Sequence, residues 1–521
     1  MGERVSVLVV GAGLAGLSSA VFLARRGVDV LLVERRSETS IFPRAVGQNQ
    51  RTMELLGFGG VARDVPTPEP GTSVFRVRIA GTLPGPTFHE EISETDTTDA
   101  GTLSPASMGT AGQDKLEPLL RQHAEKLGAQ LRFDTELVSF TQDEDGVTAE
   151  VRDHDGWTSQ VRADYLVAAD GNRSAVRAAL GIGRHGPGSL GHNASIIFDA
   201  DLGDLADQQP TLHVLHNEHV NGVFITVDGA YHRHLLSVGY DPAAGQSVDD
   251  FTPERCTELI RLVTERPDLQ PDIRAVRPWE MAALVADRFR EGRVLLAGDA
   301  AKVTPPSGGF GGNTAIGDAY DLAWKLAAVL DDTAGPGLLD TYDAERRPIA
   351  ERVVAEALRL AASRGPGADT DDTTTEQQRA AELTLGFRYR SDAVVTEDED
   401  PADAEDPHRP SGRPGFRAPH VWLPSEGERL STVDLFGDGF VLLCGPNGGF
   451  WSEVAADVTA RFGVAVRTRT VGGEEFLARY GIGASGASLV RPDGVVAWRA
   501  VEPPEEPTWA LLGALATVLD R

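Results

Sequence analysis

The spacing of apolar positions changes several times along the chain, and each change marks an element. Val5 to Val10 is a continuous apolar run of strand length, followed by glycines and then by Leu17, Ala20, Val21 and Ala24 at helical spacing. Gly27 closes that helix, and Val28 to Val33 is a second strand ending at Glu34. A helix at Thr52–Leu56 ends at Gly57, and Gln113 opens another with Leu116, Leu119, Leu120 and Leu127 on one face. From Gln130 to Ala169 the turn dipeptides Asp145-Gly146 and Asp155-Gly156 separate runs such as Val147 to Val151 and Val161 to Val167, a hairpin pattern. Alternation continues through residues 182–285 (Ile196 to Leu202, Val223 to Val227, His234 to Val238) and predicts an antiparallel sheet. Val294 to Ala297 is a further buried strand. Beyond it, Ile316, Ala319, Leu322, Ala323, Leu326 and Leu330 repeat as a helix with Asn313 as its N-cap. After Pro348 one helix runs to Ser363. From Pro410 onward the pattern gives a strand within Thr432–Leu443, a helix at Trp451–Phe462 and a strand at Val464–Val471. A hairpin about Arg491-Pro492-Asp493-Gly494 and a terminal helix near Thr508 complete it.

A chain of 521 residues is too long for one core. No apolar run approaches the roughly 20 residues that span a bilayer, and the first strand begins too early to leave room for a signal peptide. The two cysteines, Cys256 and Cys444, are too few and too far apart for a disulfide framework or a zinc site. A cytoplasmic protein is expected. The net charge of −29 argues against nucleic acid or an anionic membrane as partner; the acidic stretch Asp392–Asp406 reads as a solvated loop. His213, His216 and His219, with His232 and His234, have spacings that fit neither one strand face nor a helical ligand pair. They read as solvated hairpin histidines, and no metal is expected.

Two glycine-rich stretches carry the chemistry. The first is Gly11-Ala12-Gly13-Leu14-Ala15-Gly16 between strand and helix, with Glu34 at the end of the next strand. In that setting Gly11 allows the turn, Gly13 lets a pyrophosphate approach, Gly16 permits helix–strand contact, and Glu34 holds a ribose. The second follows Gly298-Asp299: Pro305-Pro306 and Gly308-Gly309-Phe310-Gly311-Gly312 form a loop that brings bare backbone to the start of a helix, a place for negative charge.

With Asp170-Gly171-Asn172-Arg173-Ser174 and Arg177, Gly298-Asp299-Ala300-Ala301, and the run from Trp324-Lys325-Leu326 to Tyr342-Asp343-Ala344-Glu345-Arg346-Arg347-Pro348, the chain resembles the class A flavoprotein monooxygenases, the para-hydroxybenzoate-hydroxylase-like group. Within them it is most similar to the aromatic polyketide hydroxylases of anthracycline and angucycline biosynthesis. The resemblance covers nearly the whole chain. It implies an α/β fold: a Rossmann-like FAD domain from residues 1–181 with 286–364 (60–105 partly on the substrate side), a substrate-binding sheet domain at 182–285, an acidic linker at 365–409, and a thioredoxin-like domain at 410–521. That last domain lacks CxxC, so no dithiol exchange is expected.

The resemblance also implies site roles. Gly11, Gly13, Leu14, Ala15, Gly16, Glu34, Arg35, Arg44 and Gln113 would contact FAD, as would the Leu137 backbone beside adenine. Asp170 and Gly171 would serve both FAD and NAD(P)H, so no second GxGxxG is needed. Asp299, Gly309, Gly311, Gly312 and Asn313 would line the flavin, whose pyrimidine edge becomes anionic on reduction, with the Pro306 backbone near C4a. The implied reaction uses NADPH or NADH and O2. A flavin C4a-hydroperoxide hydroxylates a polycyclic aromatic polyketide, and no side-chain base for the phenol is identified. Baeyer–Villiger insertion at a polyketide ketone, or flavin binding without oxygenase turnover, are the alternatives. Lys302 stands where many relatives carry His, and its sequence context suits a cation beside the flavin or a solvated strand-end charge equally. Ile196, Ile197, Phe198, Val223, Phe224, Ile225 and Leu235 offer apolar faces for a flat multi-ring ligand, whereas para-hydroxybenzoate-type relatives can be much shorter. The protein is expected as a monomer or homodimer.

Overall fold

Strands with no polar side have to be covered on both faces, and the apolar runs near each motif do lie inside one sheet. In the computed structural model, which describes residues 3–42, 47–69, 73–94, 102–205, 211–228, 232–363, 373–397, 401–424, 427 and 429–521, that sheet has the order Arg290–Glu291, Val294–Leu296, Thr158–Ala168, Glu3–Val10, Val30–Val33, Gln130–Arg132. Its four pairings from Val294–Leu296 through Gln130–Arg132 are parallel, and the hairpin Thr135–Asp143/Gly146–Asp153 joins antiparallel to Thr158–Ala168. Helix α1 (Leu14–Arg25) is buried along nearly its whole length. Helices α2 (Gln50–Phe58), α3 (Gln113–Lys126) and the short α4 (Ala175–Ala179) follow in chain order.

The second sheet is mostly antiparallel, with the order Lys302–Val303, Asp272–Ala286, Arg184–Asp199, Arg233–Tyr240, Asn221–Asp228, Thr211–His216, Ser73–Ala80, Thr87–Glu94. Helix α5 (Pro253–Thr264) covers one face, where Cys256, Leu259, Ile260 and Val263 pack with Ile196, Phe198, Phe224, Leu236 and Val238. This divides the apolar residues expected to meet a ligand. Strand alternation sends Ile196, Phe198 and Phe224 to the helix-covered core and leaves Ile197, Val223, Ile225 and Leu235 on the opposite face. Ser195 and Ser237, paired in register, share that opposite face, and Trp279 Nε1 donates to Ser237 Oγ at 3.2 Å.

Helix α6 (Phe310–Leu330) and α7 (Asp340–Ser363) return to the first sheet, and α8 (Thr373–Leu385) leads to the last domain. There a four-stranded sheet runs Val466–Thr470, Phe440–Cys444, Ala487–Val490, Val496–Ala500, with the helices Trp451–Phe462 and Pro507–Val518 packed together.

Several local expectations shift. Helix α2 continues through Gly57 and is stopped at Gly59 and Gly60, where φ is +78°. Helix α7 contains Pro348 rather than following it, because buried Tyr342, Glu345 and Arg346 anchor its preceding turns. The segment read as a solvated loop buries Ala393 and Val394, and Phe387 and Tyr389 just before it are buried too.

Candidate active site

Three loops end at one place because their glycines leave no Cβ between them. A Cβ on Gly11 (φ +102°) would lie 2.4 Å from the Ala169 carbonyl oxygen, and one on Gly16 would lie 1.8 Å from the Gly11 carbonyl oxygen. These contacts seat the first turn of α1 against the strand that delivers Asp170. Gly298, at φ +60°, does the same for the third loop: its Cβ would meet the Ala15 Cβ at 2.7 Å and the Ala315 Cβ at 3.4 Å. The first turn of α1 and the second turn of α6 therefore meet over Gly298. Gly13 differs, for a Cβ there has a single neighbour within 4 Å, Glu117 Oε1 at 3.9 Å. That space is open on the ligand side.

Both helix starts lack a side-chain cap. Gly13 is the N-cap of α1 and Gly309 (φ +64°) that of α6, and neither offers a capping side chain to the first N–H groups. Two sets of unpaired N–H groups with positive dipole ends thus converge, an arrangement suited to a ligand with separated anionic parts. Glu34 closes one side: its Oε2 accepts from Ala12 N–H at 2.8 Å and its Oε1 from Arg36 N–H at 2.9 Å. Asp170 Oδ2 accepts from Val176 N–H at 3.1 Å, while its Oδ1 is shielded from solvent and has no partner among the described residues. A shielded carboxylate oxygen without a donor points to a donor supplied by a ligand, and FAD, with its ribityl and ribose hydroxyls, fits this set. Buried Arg177 joins the second and third loops, donating to the Ala300 carbonyl at 2.8 Å and to the Asn172 carbonyl at 2.9 Å. Burial, with Arg184 nearby, lowers its pKa.

Leu14 and Ala15 are buried in the first turn of α1, Gly171 takes the φ of +85° that its turn requires, and Asp299 projects from the third loop at its exposed edge. Pro306 and Gly309 are exposed ahead of α6. Gly311 and Gly312 lie inside the first turn of α6 rather than in a loop, and Asn313 is not its N-cap. The bends at Gly308 (φ +80°) and Gly309 let the helix begin earlier, at Phe310. Asn313 instead holds the 47–49 segment: its Oδ1 accepts from Asn49 N–H at 2.9 Å and its Nδ2 donates to the Gly47 carbonyl at 3.2 Å. Gln113 is the first residue of α3, and its Nε2 donates to Glu117 at 2.6 Å. Leu137 sits at a bulge, paired with Val151 before the register shifts. Arg35 is exposed, and Arg44 lies outside the described residues.

Lys302 is not a solvated strand-end charge. It is buried, and its Nζ pairs with Asp318, which is buried in turn. Asp318 Oδ1 also accepts from Arg346 Nε at 2.9 Å, and Oδ2 from Gly298 N–H at 3.2 Å. Burial pushes the Lys302 pKa down and Asp318 opposes the shift. These residues clamp the third loop to α6 and α7; the sequence marks Arg346 only as part of a motif, without this role, and Asp318 not at all. A signal existed: Asp318, Asp321 and Lys325 interrupt an otherwise apolar helix face. Nor are all the histidines solvated. His213 and His234 are buried on the α5 side of the second sheet, and His234 Nε2 lies 3.0 Å from the Ala200 carbonyl. Among the described residues the one metal-compatible group is Asp321, Glu345 and Asp493, and Lys325 and Arg491 already bind it.

Residues 4–357 match the family model for the FAD binding domain, and residues 411–521 that for the aromatic-ring hydroxylase C-terminal domain. The chain is 51% identical over 535 residues to the aklavinone 12-hydroxylase RdmE of Streptomyces purpurascens, covering 100% of this chain and 99% of that one. It is 40% identical over 547 residues to the 4-methyl-5-nitrocatechol 5-monooxygenase of a Burkholderia species, covering 99% and 98%. Its fold superposes on a ternary complex of aklavinone-11 hydroxylase with FAD and aklavinone at a TM-score of 0.93, with 50% identity and full coverage of both chains.

Proposed function

Because this chain belongs to the FAD-binding aromatic-ring hydroxylases, we propose that it hydroxylates a polycyclic aromatic polyketide of the aklavinone type, using NAD(P)H and O2. The observation that carries the cofactor assignment is the packing of α1 and α6, both uncapped at their starts, against Gly298, beside Asp170 Oδ1, which has no partner among the described residues. When bound, FAD supplies hydride acceptance from NAD(P)H and activation of O2 at the flavin C4a. The chain supplies placement. The N–H groups of α1 receive the pyrophosphate, Glu34 the adenosine ribose, and the start of α6 the pyrimidine edge that turns negative on reduction. The Pro306 backbone, exposed just ahead of that helix, would stand near the flavin C4a.

The substrate would lie along the face of the second sheet that α5 leaves free. Val223 and Leu235, half-buried on that face, give apolar area, worth about 25 cal/mol per Å2 buried, and Ile197 and Ile225 back them as buried neighbours. Ser195, Ser237 and Trp279 give a short polar edge that fixes which ring carbon faces the flavin. Chain length does not support the polycyclic choice, since a nitrocatechol monooxygenase aligns over almost the same length. The support is the full-length likeness to aklavinone hydroxylases.

The test is aerobic NAD(P)H consumption by the FAD-loaded protein with aklavinone, other tri- and tetracyclic phenols or quinones, and para-hydroxybenzoate, with mass analysis of products. Coupled insertion of one oxygen into a ring carbon of a polycycle is expected, and none with para-hydroxybenzoate. Coupling confined to a single-ring substrate would refute the proposal. A lactone product would favour Baeyer–Villiger insertion, and FAD without substrate-stimulated oxidation would favour a binding protein.

A further inference from the structure

Glu117 lies one helical turn beyond Gln113 on α3 and is 1% exposed. Its oxygens are committed to different elements. Oε1 accepts from Gln113 Nε2 at 2.6 Å, and Oε2 accepts from the Ser40 backbone N–H at 2.8 Å. Oε1 is also the nearest atom to the bare face of Gly13, 3.9 Å from where a Cβ would stand. A buried carboxyl therefore backs the cradle into which the start of α1 directs its N–H groups. Two other charged groups face it, Glu34 and Arg36, both from the segment after the second strand. Burial raises the Glu117 pKa, the bonds from Gln113 and Ser40 oppose the rise, Glu34 adds to it, and Arg36 counters it.

An ionised Glu117 is awkward for a pyrophosphate in two ways. It adds negative charge behind the cradle, and it takes one N–H of the Gln113 amide, drawing the NH2 end toward itself. A proton reverses both. Protonated at Oε1, Glu117 donates to the Gln113 carbonyl while Oε2 still accepts from Ser40 N–H. The Gln113 amide turns over, and its NH2 becomes available to a phosphate oxygen.

We infer that Glu117 is a positioning residue that takes up one proton as FAD binds, and so turns the Gln113 amide toward the pyrophosphate. The inference rests on the assignment of this cradle to FAD. The proton comes from solvent and resides on Glu117 Oε1, and no covalent bond changes. The FAD diphosphate stays a dianion between about pH 5.5 and 9, so a pH-dependent affinity in that range reports a group of the protein.

The experiment measures FAD dissociation by flavin fluorescence on dilution of the full-length holoprotein across that range. Wild type is expected to show a Kd that rises with pH, at its steepest by up to about tenfold per pH unit. In Glu117→Gln the new amide mimics the protonated acid, accepting from Ser40 N–H and donating to the Gln113 carbonyl. Its Kd should be flat with pH and tighter than wild type at about pH 9. A wild-type slope in Glu117→Gln, or weaker binding at every pH, would overturn the inference, because a purely structural carboxylate behaves that way. Should that variant not fold, proton release on FAD dissociation from wild type, read with an indicator dye in weak buffer, decides: a net proton released supports the inference and none refutes it. Gly13→Val, run in parallel, tests the underlying assignment. Wild-type FAD affinity in that variant would place FAD elsewhere, and the inference would fall with its premise.

Discussion

At the scale of single residues, the glycines divide into those that hold the loops together and one that keeps space open. Gly11, Gly16 and Gly298 each have a neighbour within 2.7 Å of the Cβ they lack, so replacing them disrupts the meeting of the loops. Gly13 has no such neighbour. Gly13→Val is therefore expected to fold with little loss of stability yet purify colourless, its side chain standing where the pyrophosphate approaches. Absorbance of the purified variant checks this, and stoichiometric FAD would contradict it. Lys302 gives the opposite kind of prediction. Lys302→Met leaves Asp318 with Arg346 and one backbone N–H. Removing one partner of a buried pair is expected to cost about 3 kcal/mol, seen as a lower Tm, and to weaken FAD retention by loosening Gly298. An unchanged Tm would show that Arg346 alone satisfies Asp318. The glycine pattern was legible because its cause is local: a strand, a turn and a helix within a few residues of one another. The setting of Lys302 was not, because it depends on Asp318 and Arg346, brought in by two later helices.

At the scale of elements, alternation located the strands of the second sheet but could not say which face a helix would cover. Ile196 and Ile197 are adjacent and equally apolar, yet one packs against α5 and the other faces away. That choice is made by α5, more than fifty residues downstream of both. The same limit applies at the start of α6. The sequence marks a glycine-rich turn, but only the left-handed conformations of Gly308 and Gly309 decide that helix begins at Phe310 and that Asn313 falls inside it. Cys444 illustrates what an element does to reactivity. It ends the strand Phe440–Cys444 and is 1% exposed, and burial pushes its thiol up to about 12. Cys256, buried under the second sheet, is pushed up to about 11. Both thiols are expected to resist alkylation in the native protein and to react only after unfolding. Cys444→Ser should keep full turnover and lose about 1 kcal/mol of stability through a poorly satisfied hydroxyl. A large loss of rate in a soluble, flavin-loaded variant would restore a thiol role.

At the scale of the whole molecule, the last domain is attached through buried charge as well as apolar packing. Arg417, from the segment that leads into it, pairs with Glu54 of α2, and Arg491 pairs with Glu345 of α7 while lying over the Trp324 ring. Around Arg491, the carboxylates Asp321, Glu345 and Asp493 face two cations, Lys325 and Arg491. Three negative charges against two leave one in excess, which favours a bound proton. Burial and the neighbouring Glu345 push Asp321 up to about 7, against the pull of Lys325 and Arg491. Burial alone would raise Glu345 too, but Arg491 and Lys325 hold it below the usual carboxylate range. Between about pH 4 and 7 the folded chain holds a proton on Asp321 that the unfolded chain has released, so this residue's contribution to stability falls as pH rises through that window and then levels off. Glu345 works the other way, its contribution being lost as pH falls below the ordinary glutamate value. A stability maximum on the acidic side of neutral is expected. Asp321→Asn, which can still accept from Lys325, should remove the loss between about pH 4 and 7 and melt above wild type at about pH 8. Arg491→Ala, which leaves Glu345 and Asp493 buried with one cation among them, should cost about 3–5 kcal/mol at every pH above the carboxylate range. Melting curves of the three proteins at about pH 5, 6.5 and 8 separate these effects. If Asp321→Asn follows the wild-type pH dependence, the proton is held elsewhere. If Arg491→Ala melts like wild type, the last domain is held by its apolar contacts alone; deletion beyond about Pro410 uncovers those contacts and is expected to give a poorly soluble fragment.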